Sequence, residues 1–111
     1  MAMRLLFVET PSFTSSAKGV IDDDELLAVQ DELLRDPLVG DLVAGTGGAR
    51  KIRAAIGSRG KRGGARVLYH ISRSSATVFL LFVYAKNESG NLTLAGRNQL
   101  KKLVEILNRE S

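Results

Sequence analysis

Apolar and polar positions are segregated along this chain with two different spacings. Leu5, Leu6, Phe7 and Val8 form a short apolar run that reads, from Arg4 to Val8, as a first strand. Thr10-Pro11 then supplies a capping hydroxyl and a proline suited to the first helical position. A short helix is expected from there to about Lys18, stopped at Gly19. Asp22 begins a second helix: it can cap, Glu25 stands where a capping box needs it, and Asp23 and Asp24 favour the positive end of the helix dipole. Leu26, Leu27, Val29, Leu33 and Leu34 follow at helical spacing and predict one apolar face, and Pro37 ends the helix.

The second half alternates with the period of strands. Residues 41–48, with Gly45, Gly47 and Gly48, read as a turn region, and residues 49–56 as a strand of charged character. A glycine-rich loop is expected over 57–64. Residues 66–72 then place Val67, Tyr69 and Ile71 on one face and Arg66, Leu68 and His70 on the other. Residues 76–85 are apolar on both faces, as a central strand requires. A loop covers 86–91, Thr93 is positioned to cap a last helix, and Leu100, Leu103, Val104 and Leu107 form its stripe. The expected order is β-α-α-β-β-β-α. Short connections make the last three strands an antiparallel meander, so the expected fold is an α+β two-layer sandwich. The helices are expected on one face, leaving the other face or its rim to carry basic side chains. The whole of 1–111 reads as one domain, without repeat or linker.

Charge sharpens this picture. Residues 1–48 hold nine acidic and three basic side chains, whereas 49–87 hold nine basic and no acidic ones. A long block without a carboxylate is the footprint expected where phosphate is held. The absence of cysteine excludes disulfides, thiolate metal sites and thiol nucleophiles, and one histidine cannot build the usual zinc cluster. No cofactor or metal is expected. The N-terminal apolar run is too short for a signal segment and residues 76–85 span about half a membrane, so a cytoplasmic, membrane-free protein is expected.

Within the basic block, alternation puts Lys51 and Arg53 on one face, and a hairpin brings Arg66 beside them. Lys86 lies just past the central strand. Such a cluster can bind RNA backbone, or it can cleave it. In the second case a 2′-hydroxyl attacks the adjacent phosphorus, and fixed cations stabilise the charge that develops on its oxygens. Lys51 among cations is one candidate base; Glu88 and His70 are others, although His70 lies roughly 13 Å along the strand from Arg66. Arg50, Arg59, Lys61, Arg62 and Asn87 are expected to bind RNA. The loop at 57–64 lacks the Gly-Lys-Ser/Thr ending of a nucleotide loop, and Ser12, Ser15 and Ser16 have no histidine partner for a serine triad. A non-catalytic RNA- or ribosome-binding module is the rival reading. A DNA-binding reading is disfavoured because the charges lie on strands and loops rather than along a helix.

Three segments resemble a known family. Gly45-Thr46-Gly47-Gly48-Ala49-Arg50-Lys51-Ile52-Arg53 is similar to a Gly-Thr-Gly-Gly-x-Arg-Lys-x-Arg segment of HigB-type toxins in the RelE superfamily. Gly60-Lys61-Arg62-Gly63-Gly64-Ala65-Arg66-Val67-Leu68-Tyr69 resembles their Gly-Lys-x-Gly-Gly-x-Arg-Val-x-Tyr, and Tyr84-Ala85-Lys86-Asn87-Glu88 their Tyr-x-Lys-Asn-Glu. The resemblance implies a RelE-like fold and a toxin of a type II toxin–antitoxin system that cuts mRNA on the 70S ribosome. It implies Lys51, Arg53, Arg66 and Lys86 as the catalytic positions. It also implies a cognate antitoxin, often a helix-turn-helix DNA-binding protein, with operator DNA bound only through the toxin–antitoxin complex. The chain departs from relatives that carry a second arginine beside the last lysine, where it has Asn87, and from those with a tyrosine where it has Leu92, Thr93 and Leu94.

Overall fold

The computed structural model describes residues 4–57, 64–86 and 94–110. The elements, in order, are β1 (Leu6–Glu9), α1 (Pro11–Ala17), α2 (Asp23–Arg35), β2 (Asp41–Leu42), β3 (Arg50–Ala54), β4 (Ala65–Ser72), β5 (Thr77–Ala85) and α3 (Leu94–Glu110). Both N-terminal helices start as their caps dictate. The Thr10 hydroxyl accepts from the Phe13 amide with Pro11 in the first turn. Asp22 and Glu25 exchange side-chain and backbone hydrogen bonds at 2.8 and 2.9 Å, closing the capping box.

The strands form one five-stranded sheet in the order β1-β5-β4-β3-β2. β1 runs parallel to β5, and the remaining pairs are antiparallel. β5 is therefore central, as its two-sided apolar pattern requires. β1 pairs only with the first part of β5, up to Leu80. Past that point α1 takes over the bare edge: the Thr10 and Ser12 hydroxyls donate to the carbonyls of Leu80 and Leu81 at 2.9 and 2.7 Å, and the Val83 amide donates to the Ser16 oxygen at 3.0 Å. Ser12 and Ser16 thus replace the missing strand partner, which a central strand's backbone needs to stay satisfied.

Two corrections to the sequence reading concern this sheet. Asp41 and Leu42, read as turn, form the edge strand β2 opposite Lys51 and Arg50. The expectation that the helices share one face holds for α1 and α2 and fails for α3. Phe13 of α1 and Val29 and Leu33 of α2 pack with Ile52, Val67, Tyr69, Leu80 and Val83. Leu100 and Val104 of α3 pack with Ala49, Leu68, Leu81 and Tyr84, whose side chains project from the opposite face. Both faces carry apolar residues of β4 and β5, and each stays out of water only if something covers it. On α2 the apolar stripe is wider than the buried one: Val29 and Leu33 are buried, while Leu27 and Leu34 are exposed. Complete burial of a side chain such as Phe13 or Leu33 contributes about 1.5–3 kcal/mol. Among the described residues, no helix is long and apolar enough to cross a membrane.

The turn from β2 to β3 is built by the Gly-Thr-Gly-Gly segment. The buried Thr46 hydroxyl donates to the Val43 carbonyl at 2.7 Å and accepts from the Ala49 amide at 3.1 Å. Gly45 and Gly47 have φ of +78° and +77°, which side chains rarely adopt. This segment delivers β3, with its basic residues, into register.

Candidate nucleic-acid interface

Register decides which side chains meet. In the β3–β4 and β4–β5 ladders Arg53 pairs with Arg66 and Arg66 with Tyr84. The next row is Lys51, Leu68 and Phe82, and β2 adds Asp41 opposite Lys51. Directly opposed residues project to the same face, and residues two apart along a strand stay on it. Two adjacent rows therefore stand on one face: Asp41-Lys51-Leu68-Phe82 and Arg53-Arg66-Tyr84. Strands lie about 4.8 Å apart and rows about 6.7 Å. Lys51, Arg53 and Arg66 are thereby brought within one small area, as the sequence reading expected. Lys86 follows immediately past β5, where its amide donates to the Gly64 carbonyl at 3.0 Å, beside the start of β4.

The environments differ along the row. Arg53 is exposed and Lys51 half-buried, whereas Arg66 is only 9 % exposed, with Nη1 donating to the Ala65 carbonyl at 3.2 Å. Arg53 directly opposite Arg66 is a like-charge pair, which costs the sheet stability rather than adding to it. A pairing of this kind is intelligible where an anion is to be received. Burial pushes the Tyr84 phenol above its ordinary value near 10, and the Arg66 guanidinium partly opposes this. Tyr84 therefore keeps its proton at neutral pH and can donate.

Arg50 does not join the cluster. It lies on the α2 side of β3, where Nη1 donates to the Leu38 and Gly40 carbonyls at 3.1 and 2.7 Å. Its role there is to pin the α2–β2 connection. Arg59, Lys61, Arg62 and Asn87, expected to bind RNA, lie outside the described residues, as do Glu88 and Thr93.

His70 shares the face of Arg66 but belongs to the fold. Its Nε2 lies 2.8 Å from the Asn108 Oδ1 near the end of α3, and a Cβ at Gly48 would sit 3.6 Å from the ring. It is 7 % exposed. We expect His70→Ala to lower stability by about 1–3 kcal/mol, through a lost buried hydrogen bond and a cavity. RNA chemistry should be unchanged. A melting curve beside a cleavage assay on the folded variant checks this, and a selective loss of cleavage would contradict it.

Two charged residues, one opposite Lys51 and one on α3, escaped the sequence reading. Asp41 places a carboxylate beside Lys51, although a two-residue strand carries no periodic signal by which to find it. Arg97 lies one turn before Leu100 on the stripe that continues to Val104, so it faces the sheet; among the described residues its Nε is buried without a hydrogen-bond partner. The 97-100-104 spacing was the available signal.

A family model described as the RelE toxin of the RelE/RelB toxin–antitoxin system matches residues 5–111. The chain belongs to the RelE toxin family. The fold agrees. The isolated Escherichia coli RelE toxin superposes with a TM-score of 0.56 at 14 % identity, covering 88 % of this chain and 97 % of that one. An arginine double mutant of E. coli RelE in the free state gives 0.52 at 20 % identity, covering 80 % and 88 %. The RelBE2 toxin–antitoxin complex of Mycobacterium tuberculosis gives 0.46 at 25 % identity, covering 72 % and 95 %. This RelE-family toxin carries Lys51, Arg53 and Arg66 on the sheet face that α3 covers in part.

Proposed function

We propose that this RelE-family toxin is an mRNA endoribonuclease that acts on the ribosome and inhibits translation. The observation that carries the reading is the row in which Arg53 and Arg66 are directly paired, with Lys51 one row away. Two arginines directly opposed in register can present both guanidiniums to a phosphate, whose charge grows as the 2′-hydroxyl attacks. In the proposed reaction the 2′-oxygen bonds to phosphorus and the bond to the 5′-oxygen breaks. The upstream fragment is left with a 2′,3′-cyclic phosphate and the downstream fragment with a 5′-hydroxyl. Arg53 and Arg66 stabilise the phosphorane. Lys51 takes the 2′-proton or acts as an electrostatic partner, and Lys86 holds phosphate or protonates the leaving oxygen. Stabilisation of charge comes from these side chains rather than from a metal ion. Arg59, Lys61, Arg62 and Asn87 would hold backbone, while Arg50, engaged with two carbonyls, would act by fixing β3. The ribosome would help to position the substrate.

The matched family's description names an antitoxin, RelB. We carry over a cognate antitoxin as partner. The HigB-type motifs point to a helix-turn-helix protein through which the complex would reach operator DNA.

Mapping mRNA ends after induction tests the reading. New 5′-hydroxyl ends inside translated regions are expected with the parent protein, and on the order of 100-fold fewer with Arg53→Ala or Lys86→Ala. Growth arrest with intact mRNA would replace cleavage by non-catalytic ribosome binding. Undiminished cleavage by both variants would remove the site assignment.

A further inference from the structure

The rows that hold the cations end in aromatic side chains. Phe82 closes the Lys51-Leu68 row and Tyr84 the Arg53-Arg66 row, on the same face and one strand over. The two rings lie 6.4 Å apart, tilted by 38°. Their surroundings are unequal. Tyr84 is 7 % exposed, and Leu68 and Leu81 are completely buried, yet Phe82 between them is 36 % exposed. The register shifts between Leu68 and Tyr69, so that Leu81 has no opposite residue and turns into the core under α3. Phe82 is left standing as a ridge between two depressions. One, of about 320 Å³, is shared with Leu68, Leu100 and Gly96; the other, of about 460 Å³, with Ser15, Ser16 and Tyr84.

We infer that Phe82, backed by Tyr84, is a stacking platform for an unpaired nucleobase of the RNA strand whose phosphate lies against Arg53 and Arg66. This rests on the RNA-cleaving reading above and adds to it the form of the substrate. The positions fit. Phe82 is the diagonal neighbour of Arg66 across the β4–β5 ladder, about 7–8 Å away between backbones and within reach of an aromatic side chain. A cationic track with aromatic rings beside it is the recognition chemistry of single strands, because every base has a π-face. A duplex would keep its bases stacked on one another and unavailable to the ring. Among the described residues, Leu68 opposite Phe82 is apolar, and no charged side chain lines either depression, so stacking rather than contacts to base-pairing edges would dominate recognition. Stacking area would favour purines modestly. A protein partner could also use an exposed ring, but the adjoining cations favour a ligand that carries phosphate and aromatic groups together.

The chain has no tryptophan, so Phe82→Trp introduces a single indole at the ridge. The full-length variant is titrated with a 2′-O-methyl oligoadenylate, which cannot be cleaved, and separately with inorganic polyphosphate. Quenching of the indole by the oligonucleotide and not by polyphosphate is expected. Phe82→Leu should weaken oligonucleotide binding about 10-fold and leave polyphosphate binding unchanged, whereas Arg53→Ala should weaken both. Should Arg53→Ala weaken both ligands while Phe82→Leu weakens neither, the platform is refuted and the cationic site stands; the ring would then belong to a protein interface. Should Arg53→Ala affect neither ligand, the cationic site itself is refuted.

Discussion

Arg66→Ala is expected to abolish growth arrest on induction and to lower mRNA cleavage about 10²–10³-fold, the loss typical of removing one charge-stabilising donor from a transition state. Arg66 is the middle of its row, opposite both Arg53 and Tyr84, and its burial limits the positions its guanidinium can take. A cation held in place costs no reorganisation at the moment charge develops. The competing effect is on the fold. Truncating a buried arginine loses the packing of its stem, worth about 1–2 kcal/mol. Relief of repulsion with Arg53 returns a few tenths to about 1 kcal/mol. Truncation also removes the hydrogen bond to the Ala65 carbonyl, at about 1 kcal/mol, so the net loss should be about 1–3 kcal/mol, less than the roughly 5–15 kcal/mol that holds a typical domain. The variant should fold, and its loss of activity would be chemical. Arg66→Lys keeps the charge without the planar fork and should fall between the two. Melting curves of both variants, run beside cleavage on translating ribosomes, separate the effects. A folded Arg66→Ala protein that cuts as fast as its parent would dismiss the residue from the chemistry.

Gly40→Ala is expected to destabilise the fold strongly. A Cβ at Gly40 would lie 2.6 Å from the Tyr69 hydroxyl, 2.8 Å from its Cε1 and 2.9 Å from the Lys51 carbonyl. Two of those neighbours cannot yield easily. The Lys51 carbonyl is backbone of β3. The Tyr69 hydroxyl accepts from the Gly40 amide at 2.9 Å and donates to the Pro37 carbonyl at 3.0 Å. Tyr69 is wholly buried, and burial pushes its phenol above the ordinary range near 10, partly opposed by the Gly40 amide and Arg50. Forcing a methyl into this clamp adds the strain of overpacking, about 1–3 kcal/mol, to the loss of one or both hydrogen bonds at about 1 kcal/mol each. A loss of about 2–5 kcal/mol, or roughly 10–25 °C in melting temperature, is expected. The cost should shrink in a Tyr69→Phe background, because part of the clash and both bonds are then already gone. Equal costs in the two backgrounds would show that Tyr69 is not what confines Gly40.

The same residues show which features were readable along the chain. The Thr10 and Asp22 caps, the Pro37 stop and the two faces of β4 all rest on contacts within four residues or on a period of two, so local sequence carries them. The convergence of Lys51, Arg53 and Arg66 was readable for the same reason, since a hairpin and alternation suffice to place them. The RelE-like motifs extended this across nearly the whole chain. The partners of Arg50 were not readable, because alternation gives its side alone: only the fold brings the Leu38 and Gly40 carbonyls to it.

By itself, then, the sequence determined the helix starts, the central strand and a patch of cations on one face of the meander, all of which follow from backbone geometry repeated over short distances. The tertiary structure alone decided that α3 crosses to the other face, that Asp41 joins Lys51, that His70 is bound to Asn108, and that Phe82 stands exposed beside the arginines. Those outcomes depend on strand register and on one irregularity between Leu68 and Tyr69. A register is set by the combined packing of both sheet faces, and a shift of one residue would turn every side chain of a strand to the other side.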